Sequence, residues 1–369
     1  MINKSNLILL ASSIILSLFL IEILLRISNL DHVNKLSFQK NDDQKKRYEN
    51  FIIDKDKKLI LSIGDSFTVY KDYSKKNYFS VLEKNINKHQ KYQFLNLANA
   101  GDDMNEYLNT LCFVKKKMEP DILIFGIFLG NDISHIPFKK KNNNGCNLIK
   151  ENKKGIKNFL KKSILLNIAF RTLKYYLPIF KSQVYFSNKE RLVTEKIVSY
   201  NKIESHEKKL SNKIIKSAQN DTINPYDLFL AIYNQNFYVD LANLSNTQVL
   251  NDYKNFKENL LYLNNSCRDI SKNCIFVLIP PSTWIDKKYF NYYKELGYNM
   301  DEKIIIKNKL INDLENFLII NKIIFVNPLI ILRNQNKYLF IQNDTHLNDY
   351  GQKVLGNYLS ENIEFLFDD

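Results

Sequence analysis

A short apolar run, Leu59-Ile60-Leu61-Ser62-Ile63, ends abruptly in Gly64-Asp65-Ser66. A buried parallel strand reads as a continuous apolar stretch, and in open α/β sheets chemistry sits just beyond the carboxyl ends of such strands. Ser66 is therefore a nucleophile candidate, with Gly64 permitting the sharp turn that exposes its hydroxyl. A free hydroxyl is a poor nucleophile and needs a base, an orienter for that base and donors for the oxyanion. The chain has only five histidines, and one of them, His346, follows Asp344 by two positions in Asn343-Asp344-Thr345-His346. An aspartate placed there can hold one ring nitrogen while the other faces the serine. Oxyanion donors are offered by Gly101, after the run Phe94–Ala100, and by the side-chain amide of Asn131, after the apolar stretch that opens at Ile122. Each of these residues also has an ordinary structural use: Gly-Asp-Ser suits a strand-to-helix turn, and Asp344 or Asn348 could simply cap the last helix.

Taken together and in this order, Ser66, Gly101, Asn131 and His346 resemble the four sequence blocks of the SGNH (GDSL-type) hydrolase superfamily. The likeness runs discontinuously over roughly residues 58–135 and 270–360. It implies a flavodoxin-like three-layer α/β sandwich with Ser66 as nucleophile, His346 as base and Asp344 as its orienter. It also implies an oxyanion hole made by the backbone N–H groups of Ser66 and Gly101 and the side chain of Asn131. No cofactor or metal is implied. Two positions depart from the pattern. Many members keep the aspartate three residues before the histidine, where this chain has Asn343; the Asp-Thr-His spacing is more similar to SGNH-like enzymes that acetylate polysaccharides. The third block usually carries glycine two residues before the asparagine, where this chain has Leu129.

The elements that must position these groups alternate. The spacing predicts strands near 58–64, 94–98, 122–129, 274–279 and 322–326. It predicts helices following Ser66 through Phe79, Leu82 and Ile86, over 104–118, through 225–265, over 301–319 and from the catalytic loop to about 366. The first three strands with their intervening helices read as β-α-β-α-β, which supports a parallel sheet independently of any motif; with the two later strands the expected sheet is parallel and five-stranded. Trp284 and the aromatics Tyr289–Tyr293 follow the fourth strand and are expected to be exposed on the catalytic side, where they either stack on a sugar or an acyl chain or serve ordinary loop packing.

Outside the sheet, residues 7–25 form an apolar run long enough to span a bilayer, with no small-residue cleavage site after it, and read as an uncleaved membrane anchor within residues 1–30. Lys4 precedes the span while Arg26, Lys35 and Lys40 follow it, a balance that favours an inward carboxyl side; the family resemblance implies instead a catalytic domain outside the cytoplasm. Residues 31–57 read as a polar linker and 58–369 as the catalytic domain, interrupted at about 136–250 by a mostly helical, lysine- and asparagine-rich insertion. Within it, residues 156–176 have the spacing of a basic amphipathic helix, which packs on its own domain or lies on an anionic membrane.

The formal charge is +14, but the lysines are dispersed among asparagines and isoleucines and no nucleic-acid motif is present, so nucleic acid is not the expected partner. Attraction to anionic lipid or acidic polysaccharide fits the anchor better. Of the four cysteines, Cys267 and Cys274 flank a helix-to-strand turn and either form a disulfide or remain buried thiols; none has metal-ligand spacing. The leading expectation is a membrane-anchored serine esterase that cleaves an acetyl or other acyl ester through an acyl-enzyme on Ser66. Its substrate would be an ester-bearing molecule, such as an acylated polysaccharide or a lipid. Transfer of the acyl group to a cell-envelope polysaccharide by the same site, a non-catalytic carbohydrate-binding module, and a flavodoxin-like nucleotide binder are the alternatives; the last leaves Asp344 and His346 unexplained.

Overall fold

The computed structural model describes residues 52–69, 77–87, 90–133, 197–220 and 222–367, with isolated positions 13, 17, 189, 192 and 193. The proposed anchor at 7–25 lies outside these but for two positions, as do most of the linker and the basic stretch 156–176. Among the described residues no helix is long and apolar enough to cross a membrane. The chain divides into two compact units, residues 1–52 with 149–183 and residues 53–148 with 184–369. Almost all described residues belong to the second unit.

That unit is built on five parallel strands, β1 Lys58–Gly64, β2 Tyr92–Asn96, β3 Ile122–Phe128, β4 Asn273–Ile279 and β5 Ile324–Val326, in the order β2-β1-β3-β4-β5. This is the flavodoxin-type doubly wound order, with the direction of winding reversing between β1 and β3. All residues of β3, and all but the first of β1 and β4, are buried, so both faces of the sheet are covered.

The described helices are α1 Tyr78–Ile86, α2 Met104–Lys117, α3 Tyr200–Glu207, α4 Asn212–Gln219, α5 Pro225–Tyr233, α6 Phe237–Asn243, α7 Thr247–Arg268, α8 Phe290–Glu295, α9 Lys303–Ile306, α10 Lys309–Ile320, α11 Leu329–Arg333 and α12 Asp349–Ile363. The stretch expected to be helical through 225–265 is three helices, because Asn234 ends α5 in an extended conformation, Leu244 ends α6 in a left-handed one, and Asn246 caps a new start for α7. Asn308 divides the expected 301–319 helix in the same way, its side chain accepting from the Ile311 N–H at 3.1 Å.

Two close approaches fix the layers around the nucleophile. Helix α12 packs against α1, and a Cβ on Gly356 would lie 2.5 Å from Val81 Cβ and 2.7 Å from the Tyr78 carbonyl, so only glycine allows that spacing. Gly64 and Gly126 are paired neighbours in β1 and β3. A Cβ on Gly126 would meet Thr68 Oγ1 at 2.0 Å and the Tyr78 hydroxyl at 2.4 Å. The bare backbone therefore makes room for a buried Thr68–Tyr78 hydrogen bond of 2.9 Å directly over the sheet.

One aromatic expectation is corrected. Trp284 is fully buried, and Tyr289 and Tyr293 are buried with it. A 3-10 turn at Ser282–Trp284 folds the chain back after β4, and the Arg333 guanidinium donates two hydrogen bonds, 2.9 and 2.8 Å, to the Trp284 carbonyl. These rings are packing, not an open stacking platform.

Candidate active site

Ser66 follows β1 on a turn closed by Thr68 and Val69 N–H groups donating to the Asp65 carbonyl at 3.1 and 3.0 Å. The turn is held from three directions. The Asn77 and Asn96 side chains donate to the Thr68 carbonyl at 2.9 and 2.7 Å, and Gln352 of α12 donates to the Phe67 carbonyl at 3.4 Å while accepting from the Tyr78 N–H at 2.9 Å. Gln352 thus ties the serine turn to the helix that follows the histidine loop. Ser66 as a residue is half-buried.

His346 arrives 280 positions later on a tight loop. Ile341 N–H donates to the His346 carbonyl at 2.9 Å, Asn348 N–H to the Leu339 carbonyl at 2.8 Å, and Asn343 takes φ +60° at the bend, a left-handed conformation that asparagine tolerates. The capping role considered for Asp344 or Asn348 falls to Asn348, which accepts from Gly351 N–H at 2.9 Å. Asp344 is left for the histidine. Its Oδ1 lies 2.5 Å from His346 Nδ1 and also accepts the His346 backbone N–H at 3.0 Å, while His346 Nε2 lies 2.7 Å from Ser66 Oγ.

The electrostatics fix the direction of this chain. Burial alone would raise Asp344 and lower His346, but their mutual hydrogen bond and charge outweigh it. Asp344 ends below the ordinary carboxylate range and His346 above the ordinary imidazole. An ionised carboxylate only accepts, so Nδ1 carries the proton and Nε2 is free to accept from the serine hydroxyl. Phe67 stacks on the imidazole at 4.8 Å between centroids and on Phe128 at 3.7 Å, a column of rings that limits rotation of the base.

The two other predicted residues lie on the neighbouring strand ends. Leu97 and Asn99 N–H groups donate to the Ser62 and Gly64 carbonyls at 2.8 and 3.0 Å, which stitches the loop leading to Gly101 onto the end of β1. Gly101 has φ +80°, and a Cβ there would meet nothing within 4 Å, so its backbone borders open space. Asn131 lies on the turn after β3. At the unusual Leu129 the side chain is buried and the N–H extends the ladder to the Ile279 carbonyl at 2.9 Å.

Three contributors escaped the sequence reading. Asp65, fully buried, accepts from the Asn131 side-chain amide at 3.0 Å and from Phe67 N–H at 2.9 Å, so it orients the amide. Burial pushes its carboxyl up, against those two hydrogen bonds. Asp132 is buried close behind, accepting from Phe128 N–H at 2.9 Å and from the Tyr107 hydroxyl at 3.2 Å; burial and then the Asp65 charge push it well up. Asp227, on the first turn of α5, is buried within electrostatic reach of Asp344 and His346. Asp65 stood inside the Gly-Asp-Ser motif and signalled only a turn; nothing near Asp227 in sequence distinguishes it from any first-turn acid.

No family model and no curated protein matches the sequence. Similar solved structures include a protein of Bacillus subtilis (TM-score 0.38, 10% identity, 84% of this chain), of whose length the chain spans only 56%. They also include a lipase/acylhydrolase from Enterococcus faecalis (TM-score 0.39, 10% identity, 84% of this chain and 96% of that one). A third is a catalytic mutant of an acetylxylan esterase from Geobacillus stearothermophilus (TM-score 0.38, 10% identity, 84% and 95%).

Proposed function

We propose that the protein is a serine ester hydrolase of the SGNH type, acting through an acyl-enzyme on Ser66. The hydrogen-bonded chain from Ser66 Oγ through His346 to Asp344 carries this reading. In it, Ser66 Oγ attacks the acyl carbonyl as His346 Nε2 takes its proton, and Asp344 stabilises the imidazolium that forms. The oxyanion of the tetrahedral intermediate is received by the Asn131 amide and the backbone N–H groups of Gly101 and Ser66. Collapse expels the alcohol with the proton from His346. Water then attacks the acyl-serine, with His346 again as base, and releases the acid and the free serine.

The reading extends to place and partner. An anchor at residues 7–25 holds the catalytic domain to a membrane, and the domain faces an oxidising space outside the cytoplasm. Supporting this are the disulfide between Cys267 and Cys274 and the disulfide-bonded state of Cys112, bridges that reducing compartments rarely keep. The substrate is an acetyl or other short acyl ester, on a polysaccharide or lipid.

The test compares the full-length protein with Ser66→Ala for release of acetate from p-nitrophenyl acetate and for labelling by a fluorophosphonate. Both signals vanish in the variant if the reading holds; labelling that survives would put the nucleophile elsewhere. Adding an acetylated donor and a polysaccharide acceptor separates hydrolysis from transfer, since only transfer leaves acetyl on the acceptor.

A further inference from the structure

Away from the serine, a cavity of about 390 Å³ opens where the end of α3, the loop between α5 and α6 and the end of α8 meet. That volume falls in the range of about 300–1,000 Å³ that small-molecule sites occupy. The polar side chains around it are those of His206, Lys209, Ser211, Gln235, Lys294 and Glu295. None of Ser66, Gly101, Asn131, Asp344 and His346 borders it, so the site stands apart from the proposed chemistry and does not rest on that reading.

The cavity is built around a buried histidine. His206, in the last turn of α3, is 5% exposed and clamped from two sides. A carbonyl only accepts, so Nε2 carries the proton and donates to the Leu296 carbonyl at 2.9 Å, while Nδ1 accepts from the Gln235 side-chain amide at 3.1 Å. Gly297 turns at φ +93°, and a Cβ there would lie 2.5 Å from His206 Cε1, so only glycine lets the end of α8 close over the ring. Asn299 N–H donates to the Gln235 carbonyl at 2.8 Å and fixes the loop that carries the amide. Burial holds the imidazole below its ordinary value; Lys209 and Lys202 act in the same sense, the Leu296 bond and Glu207 against it. Lys294 and Glu295 complete the charged groups around the cavity.

The remaining lining asks for an anion that also carries hydroxyl groups. Among the described residues, Lys209, Lys294 and Glu295 have no ion-pair partner. The Ser211 oxygen accepts from Ile214 N–H at 3.3 Å, which leaves its proton to donate, and Ser211 caps α4, whose positive end therefore borders the cavity. Glu295 and the Gln235 amide oxygen accept from hydroxyls. A bare inorganic ion between the two ammonium groups would leave most of the volume to water. The clamp on His206 adds a second property. While the ring is neutral, Gln235 turns its NH2 to Nδ1 and its oxygen is left for the cavity. A proton on Nδ1 makes that nitrogen a donor, the amide must turn its oxygen to the ring, and its N–H groups pass to the cavity together with a new positive charge.

We propose that this cavity binds a hydroxyl-rich carboxylate of monosaccharide size, a sugar acid held between Lys209 and Lys294, and that its occupancy and the protonation of His206 favour each other. Linkage makes the two effects one: a ligand that prefers the imidazolium raises the histidine's affinity for its proton by the same factor by which acid raises the affinity for the ligand.

The experiment titrates the full-length protein calorimetrically with D-glucuronate, D-glucose and acetate at about pH 5.5 and pH 7.5, a window in which the glucuronate carboxylate keeps its charge. His206 is followed by NMR of labelled imidazoles, assigned against His206→Gln. Glucuronate is expected to bind saturably, up to about fivefold tighter at the lower pH, and to raise the His206 titration by as much as about 0.7 unit, the same factor on a logarithmic scale. Glucose, which lacks the charge, and acetate, which lacks the hydroxyls, bind at least tenfold more weakly. Substituting Lys209→Gln and Lys294→Gln together weakens glucuronate by more than about tenfold, since each exposed ion pair is worth up to about fivefold. Glu295→Gln keeps the pH dependence, which separates His206 from the other group that titrates at the cavity.

Absence of saturable glucuronate binding overturns the proposal, as does a double-lysine variant that binds like the native protein, acetate that binds as tightly as glucuronate, or a His206 titration unmoved at saturation. Both lysines are exposed, so the double variant is expected to fold. Should it not, the His206 titration of the native protein with the three ligands decides alone. No readout uses turnover, so a protein without Ser66-dependent hydrolysis would refute the hydrolase reading and leave this question answered separately.

Discussion

Ahead of His346, the position where the resembled family usually keeps its aspartate is held by Asn343 and the carboxylate stands one residue later at Asp344, and backbone geometry separates the roles of the two. Asn343 occupies the left-handed corner of the loop, so its side chain supports the bend, while Asp344 reaches both the ring Nδ1 and the backbone N–H of the histidine. Asp344→Asn leaves the shape intact but offers an amide where an acceptor is required, and the imidazole turns to the wrong tautomer. We expect kcat to fall by up to roughly 10,000-fold. Asn343→Ala strains a corner and costs little by comparison. Steady-state kinetics of the two variants check this, and a larger loss in Asn343→Ala would return the orienting role to the position three residues before the histidine. Ser66, His346, Asp344, Gly101 and Asn131 were all named from residue type and order. Asp65 and Phe67 were not, because burial and a neighbour distant in sequence define their roles, and neither leaves a mark on the local pattern.

Strands and helices were legible where burial is uniform. The apolar runs of β1, β3 and β4 are buried on both faces, so hydrophobicity alone marked them. Helix boundaries were less legible where asparagine recurs, since its side chain caps a new helix as readily as it decorates an old one; Asn246 and Asn308 each start a helix inside a stretch read as continuous. The glycines show a further limit. Gly126 looks like an interruption of a strand, yet it is the floor on which the Thr68–Tyr78 pair rests. A methyl group there must displace that pair and with it the turn carrying Ser66. Gly126→Ala is therefore expected to cost about 1–3 kcal/mol of stability by overpacking, and to lower kcat more than a comparable Ala substitution elsewhere in the sheet. Urea unfolding together with turnover checks this; a variant of native stability and activity would remove the floor from the account.

The whole molecule holds several carboxyl groups in places that favour their protons. Burial raises Asp65, Asp132 and Asp227, the last to about 7, while their unfolded values lie near 3.9. A group whose folded value is raised gives its full stability below the unfolded value and loses it as pH rises toward the folded one. His346, also raised, acts in the same sense above its ordinary value, whereas the lowered Asp344 loses its contribution only in acid. The urea midpoint is therefore expected to fall between about pH 5 and pH 8. Asp132→Asn, which can still accept from Phe128 N–H and bond Tyr107, should flatten that slope and raise the midpoint at pH 8; an unchanged slope would mean that Asp132 is ionised in the native state without penalty. The sequence by itself determined the parallel sheet and the order of the groups along it, because apolar period and turn residues are local properties. Only the tertiary structure decided which acid serves the histidine, what orients Asn131 and that Trp284 is buried. Those facts depend on segments that meet at the carboxyl edge of the sheet from as far as 280 positions apart, and the distance between two such segments is set by packing rather than by either segment alone.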